Sequence, residues 1–142
     1  MTRLPAIVAL ALLLLCACTP PVEVADGQTI IVGRTHYRLW GIEAPDLHQT
    51  CTEDWQAGAE SRRTLALLIG QRRIVCEDRG IDRYRRTLAV CRADGLDLGG
   101  AMVGAGMAWA SAATTRAYVG VESQAREEER GVHSYDCQPS RD

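Results

Sequence analysis

Lysine is missing from this chain: all sixteen basic side chains are arginine, a usage that genome composition alone can produce and that also suits bidentate contact with phosphate. No pair of cysteines has the CxxC spacing, which argues against a structural zinc site. Internal repeats and low-complexity linkers are also lacking, and 142 residues are one domain's worth, so a second domain is not expected. No large excess of charge exists either. The formal charge is -2, or -3 once Arg3 is removed, so the surface is not a general attractor of polyanions and any nucleic-acid affinity must be local. The apolar run over residues 6–15 is too short to span a bilayer as a stable helix.

That run does fit an export signal. It follows Arg3 and ends at Leu15-Cys16-Ala17-Cys18, just before Thr19-Pro20-Pro21. The ending resembles a bacterial lipoprotein signal: residues 1–17 would be removed and Cys18 acylated as the first residue of a single mature domain over 18–142. Thr19 carries no inner-membrane retention signal, so the periplasmic face of the outer membrane is the preferred address. An ordinary secretory signal with incidental cysteines would instead leave the protein periplasmic or secreted.

Four cysteines then remain in an oxidising compartment: Cys51, Cys76, Cys91 and Cys137. Cys76 and Cys91 fall on β-like runs over residues 72–77 and 86–92, joined by a polar connection, so a cross-strand bridge between them is expected. In the chain-entropy account a loop of that size is worth ~3 kcal/mol. Cys51 with Cys137 is the pairing left over.

Short strands are expected at residues 22–25, 29–32 and 37–42, rich in β-branched and aromatic residues and separated by Asp-Gly and Gly-Arg turn signals; together they read as a meander. Thr52 is placed to cap a helix whose first turn holds Glu53 and Asp54, whose apolar face takes Trp55, Ala59, Ala66 and Ile69, and which Gly70 stops. After the two cysteine-bearing strands, Asp97 caps a helix of small residues over 98–106. A last helix over 115–130 repeats apolar residues at Ala117, Val121 and Ala125, and the tail from 131 reads as irregular. Five strands and about three helices around one core fit an α+β chain dominated by a small, partly open five-stranded barrel of the OB type.

The chemistry is concentrated between Asp26 and Asp46, where two acids and an arginine come together at the ends of two short strands. The chain reads Asp26-Gly27-Gln28-Thr29, then Arg38-Leu39-Trp40-Gly41-Ile42-Glu43-Ala44-Pro45-Asp46. A second block is Asp82-Arg83-Tyr84-Arg85-Arg86-Thr87-Leu88-Ala89, and a weaker third is Glu122-x-x-Ala125-Arg126. In that order the three blocks resemble the staphylococcal nuclease (thermonuclease-like) family over nearly all of the mature chain. The family's versions are Asp-Gly-Asp-Thr with Arg-Leu-x-Gly-Ile-Asp-Ala-Pro-Glu, and Asp-Arg-Tyr-Gly-Arg-x-x-Ala.

The resemblance implies a monomeric, calcium-assisted phosphodiesterase acting on DNA or RNA. Gln28 and Glu43 occupy the positions of two calcium-binding aspartates, Asp46 that of the glutamate acting on the attacking water, and Arg38 and Arg86 those of the arginines on the scissile phosphate. The logic is chemical: a hard cation takes oxygen ligands, and guanidinium forks stabilise charge gathering on phosphorus-bound oxygens.

All three acidic positions differ from the family pattern. Gln28 removes a negative charge from the metal site, Glu43 adds a methylene and Asp46 removes one. Misplacing a reacting group by ~1 Å can cost on the order of 100-fold in rate, so reduced activity is expected. The alternative reading is an impaired module that binds nucleic acid or another phosphate ligand, and a third is an envelope scaffold. The family's stacking tyrosines before the last helix are replaced by Ala112 and Thr114, and its tryptophan after that helix by His133. Trp109 is expected in the core. His36, His48 and His133 have no partner at ligand spacing, and Arg83, Arg85 and the 127–130 run are expected to face solvent.

Overall fold

The structure is a computed structural model in which residues 20–139 are described. The expected signal segment, the expected acylation site Cys18 and the last three residues lie outside them. The meander forms as expected, with β1 (Val22–Val24), β2 (Thr29–Val32) and β3 (Thr35–Leu39) paired antiparallel in sequence. The Asp26 carboxylate makes the first turn by accepting the Gln28 N–H at 2.9 Å, a local bond that competes with strand continuation. Gly33 makes the second with φ +64°.

The strand expected over 37–42 breaks at Trp40-Gly41. Gly41 has φ +81°, and a Cβ there would lie 2.5 Å from a Thr115 methyl group, so a close approach bends the chain away from the sheet. Ile42–Glu43 then forms β4, whose partner is β8 (Trp109–Ala110) and not the main sheet.

The first helix also differs from expectation. Thr52–Asp54 makes a single 3-10 turn, with Glu53 and Asp54 at positive φ, and the Thr52 hydroxyl donates to the Tyr135 carbonyl at 2.6 Å. Thr52 therefore caps nothing, because the C-terminal tail engages it. Helix α1 (Ala57–Ile69) starts later and buries Ala57, Gly58, Ser61, Leu65 and Ile69, while Ala59 and Ala66 are exposed. Trp55 lies before the helix and stacks on Tyr135 with centroids 4.6 Å apart.

Strand β5 (Ile74–Ile81) runs past its expected end through an irregularity between Asp78 and Gly80, and pairs with β6 (Thr87–Ala93) along its length. Cys76 faces Cys91 directly and the two are bonded, with Cα atoms 4.0 Å apart. On its other side β6 takes β3 in parallel and then β7 (Leu96–Asp97). The sheet order is β1-β2-β3-β6-β5, the five strands expected, and it does not close.

Asp97 caps α2 (Leu98–Gly104) as expected, accepting the N–H groups of Gly99 and Gly100. The last helix, α3 (Val119–Glu127), is shorter than the 115–130 expected and buries only Ala125. Its start is fixed by Tyr118, whose hydroxyl donates to the Asp97 carboxylate at 2.9 Å.

The main core gathers Ile30, Leu39, Leu65, Leu98, Met102 and Val103, each worth about 1.5–3 kcal/mol of burial. The tail is more ordered than its sequence suggests. A 3-10 turn (Gly131–His133), the Cys51–Cys137 disulfide and a second cluster of Ala57, Trp109, Val132 and Cys137 tie it to the segment before α1.

Candidate active site

The parallel pairing of β3 and β6 decides where the two expected arginines go. Arg38 is opposite Leu88, and Arg86 lies two residues before Leu88, so strand alternation puts both side chains on one face as diagonal neighbours. Both line a cleft of about 300 Å3 with Asp26, Gln28, Asp46 and Tyr84. Two cationic groups from separate segments thus meet beside two carboxylates.

Arg86 is held from three directions. Its Nε–H donates to Asp82 Oδ2 at 2.7 Å, its backbone N–H donates to Asp82 Oδ1 at 2.9 Å, and its guanidinium lies 5.1 Å from the Tyr84 ring centroid. Asp82 also accepts the Tyr84 N–H at 2.8 Å. Desolvation works to raise the Asp82 pKa, but the bonds from Arg86 and Tyr84 and the Arg86 charge outweigh it, and the carboxyl sits below its ordinary value. Such charge-assisted bonds fix orientation as well as charge.

Gln28 is buried, and its side-chain oxygen accepts the Ala44 N–H at 3.0 Å. That bond braces the start of β2 against the segment carrying Glu43, Pro45 and Asp46. Asp46 is exposed at the cleft, in a turn closed by Gln49 N–H on its carbonyl at 2.8 Å. Gly58 presses against the same turn: a Cβ there would fall 1.9 Å from the Asp46 carbonyl oxygen.

Glu43 is exposed and lines a different cleft, of about 380 Å3, with Glu122, Arg126, His133 and Asp136. The two residues expected to share a metal therefore open onto different clefts. Among the described residues no group of three or more His, Cys, Asp or Glu is placed to hold a metal ion. His133 is half-buried; burial, with the Arg126 charge adding to it and Glu122 opposing, lowers its pKa. His36 and His48 are exposed, as are Arg83, Arg85, Ala112 and Thr114, while Trp109 is buried in the second cluster.

Three residues of the site were not picked out as functional from sequence: Asp26 as a wall of the cleft, Tyr84 against the arginines, and Asp82 as the anchor of Arg86. The signal for the last two was present in Asp82-Arg83-Tyr84-Arg85-Arg86, where an aspartate can close an Asx turn on the N–H two residues on, here that of Tyr84, with an arginine within reach at the fourth position.

Among the described residues, an open six-stranded sheet, with β7 added on β6, and three α-helices, carrying paired arginines and carboxylates in one cleft, define an α+β protein of the OB type. The family model described as "Staphylococcal nuclease homologue" matches residues 36–135, and the chain belongs to that family. It is also 29% identical over 116 residues to a Haemophilus influenzae protein named as an uncharacterized endonuclease. The match takes in 78% of this chain and 62% of the relative, so the chain spans a little under two thirds of that protein's length.

Proposed function

We propose that the chain is a nuclease that hydrolyses phosphodiester bonds of DNA or RNA, with Arg38 and Arg86 gripping the scissile phosphate and Asp46 acting on the attacking water. The observation that carries this reading is the shared cleft, in which both guanidinium groups and the Asp46 carboxylate meet. A phosphate seated between the arginines receives forked hydrogen bonds, and charge that grows on its oxygens in the transition state is stabilised where it forms. Asp46, exposed at the same cleft, is the carboxylate that would orient a water and take its proton.

Calcium is the cofactor proposed. The oxygen donors of the cleft suit a hard cation in kind, but besides Asp46, assigned to the water, they are few: Asp26, already accepting one N–H, and Gln28, whose oxygen is engaged by Ala44 and has one lone pair left. Glu43 would join them only by turning from the neighbouring cleft. The donor set therefore fits a weakly held ion, and when bound it would offset negative charge on the phosphate. Activity below that of a relative with three carboxylates follows. A second reading, a module that binds nucleic acid or another phosphate compound without turnover, is favoured by that same engaged Gln28 oxygen.

The cellular setting proposed is a single mature domain from Cys18 onward, acylated at that residue and monomeric at the periplasmic face of the outer membrane. A fluorogenic oligonucleotide assay under calcium titration tests the activity. Calcium-dependent cleavage that falls on the order of 100-fold or more in Arg86→Ala is expected. Binding of a short single strand without cleavage at any calcium concentration would leave only the module.

A further inference from the structure

Beside the cleft, with which it shares Leu47, a strongly basic face runs along α1 as far as Gly70. Pro20 and Pro21 line a groove with Arg72 and Arg73, and Val22 lines a second groove with Arg62 and Arg63; the two grooves share Val22, Ile69 and Gly70 and so form one surface. Arg34 joins it, because the Gly33 N–H donates to the Pro21 carbonyl at 3.1 Å and Arg34 follows in the same turn. Five of the sixteen arginines of a chain with formal charge -2 thus lie around Pro20, Pro21 and Val22. The nearby acids are fewer: Glu23 lines one groove, Glu60 pairs with Arg63 at 3.7 Å, and Asp94 accepts the Arg73 N–H. All five arginines are exposed, and Leu67, one helical turn after Arg63, is 68% exposed beside them.

We propose that this arginine face seats on anionic phospholipid headgroups, with Leu67 entering the interface. The proposal rests on the acylation of Cys18 for its setting. Cys18 is two residues before Pro20, so acyl chains on it could be no more than ~7 Å of chain from this face. Charge complementarity then selects phospholipid, because guanidinium groups pair with phosphates.

The test uses the unacylated chain from residue 18 with Cys18→Ser; both hydrophobic clusters and both disulfides are built from residues 22–137, and melting confirms that each variant is folded. Sedimentation with vesicles of phosphatidylcholine containing about a third phosphatidylglycerol is expected to show salt-sensitive binding that pure phosphatidylcholine does not. Each arginine near an anionic surface contributes roughly fivefold, so Arg72→Gln with Arg73→Gln should weaken partition roughly 25-fold while leaving oligonucleotide cleavage unchanged. Should that variant unfold, Arg34→Gln with Arg63→Gln reads the same face. Equal partition of parent and variant, or no preference for anionic vesicles, overturns the proposal. So does an equal loss of oligonucleotide binding, which would assign the face to nucleic acid. Palmitate labelling of the full chain reports the anchor separately: an unlabelled chain whose residue-18 form still binds vesicles overturns the anchor and supports the face.

Discussion

Replacing Gln28 with aspartate sets two roles of one position against each other. The glutamine oxygen satisfies the buried Ala44 N–H at 3.0 Å, and aspartate is one methylene, about 1.5 Å, too short to keep that bond without moving the backbone. An unsatisfied buried donor costs about 1–3 kcal/mol, and for a domain of this size each kcal/mol lowers Tm by about 3–6 °C. Gln28→Asp is therefore expected to melt roughly 3–18 °C below the parent without calcium. The new carboxylate is nearly enclosed, which raises its folded-state pKa. The folded state then holds the proton more tightly than the unfolded one, so the stability gap to the parent widens as pH rises from about 4 to 7. Calcium should narrow the gap and raise the cleavage rate, because the charge missing from the site is restored. Gln28→Glu is the comparator: it keeps the reach to Ala44 and adds the same charge, so it should gain calcium sensitivity at a much smaller loss of stability. Thermal melts with and without calcium, paired with the oligonucleotide assay, decide the matter. A Gln28→Asp melting temperature equal to the parent's would refute the bracing argument, and no gain in rate at saturating calcium would refute the metal assignment.

Asp82→Asn should leave the fold intact but loosen Arg86, raising the KM for oligonucleotide more than Arg83→Ala, since Asp82 accepts the Arg86 Nε–H directly while Arg83 lies 4.9 Å from the Tyr84 ring centroid. Because the Asp82 pKa is lowered in the folded state, its contribution to stability is present above the unfolded value near 4 and is lost as pH falls through the lower folded value. An acid titration followed by circular dichroism should therefore show a steeper loss below pH 4 in the parent than in Asp82→Asn. Removing Cys51 and Cys137 together should lower Tm more than removing Cys76 and Cys91, because their sequence separations are 86 and 15 and closing the longer loop is worth roughly 4–5 kcal/mol against ~3; equal losses would count against the loop-entropy account.

The strands of the meander, the Cys76–Cys91 pair and the Asp97 cap were legible because each depends on residues near in sequence: alternation, a turn signal, a capping side chain. The start of α1 was not, although Thr52-Glu53-Asp54 has the chemistry of a helix start. What redirects it is the tail, 83 residues later, whose Tyr135 carbonyl takes the Thr52 hydroxyl and whose Cys137 bonds Cys51. The rotated face of α1 follows from the same cause, since moving Trp55 onto Tyr135 takes it out of the helix. In the site, the cleft shared by Arg38 and Arg86 was expected from the two sequence blocks. The division of Gln28 and Glu43 between two clefts was not, because it comes from the break at Gly41 and the pairing of β4 with β8.

That division separates what fixes the arginines from what fixes the acidic positions. Arg38 and Arg86 are aligned by the register of two neighbouring strands, a main-chain property that no single side chain in the 41–46 segment controls. Arg86 has in addition its own anchor in Asp82, within four residues. The acids at 43 and 46 sit on a segment that leaves the sheet at Gly41 and is fixed by the Gln28 brace, the β4–β8 pair and the close packing of Gly58. Substitutions there would alter carboxylate reach and the charge of the proposed metal site but leave the strand register, and with it the proposed phosphate grip, in place. Loss of turnover would then precede loss of binding. A series in which Gln28, Glu43 and Asp46 are changed singly should spread widely in cleavage rate and narrowly in affinity for a non-cleavable oligonucleotide, whereas Arg38→Ala and Arg86→Ala should lower both.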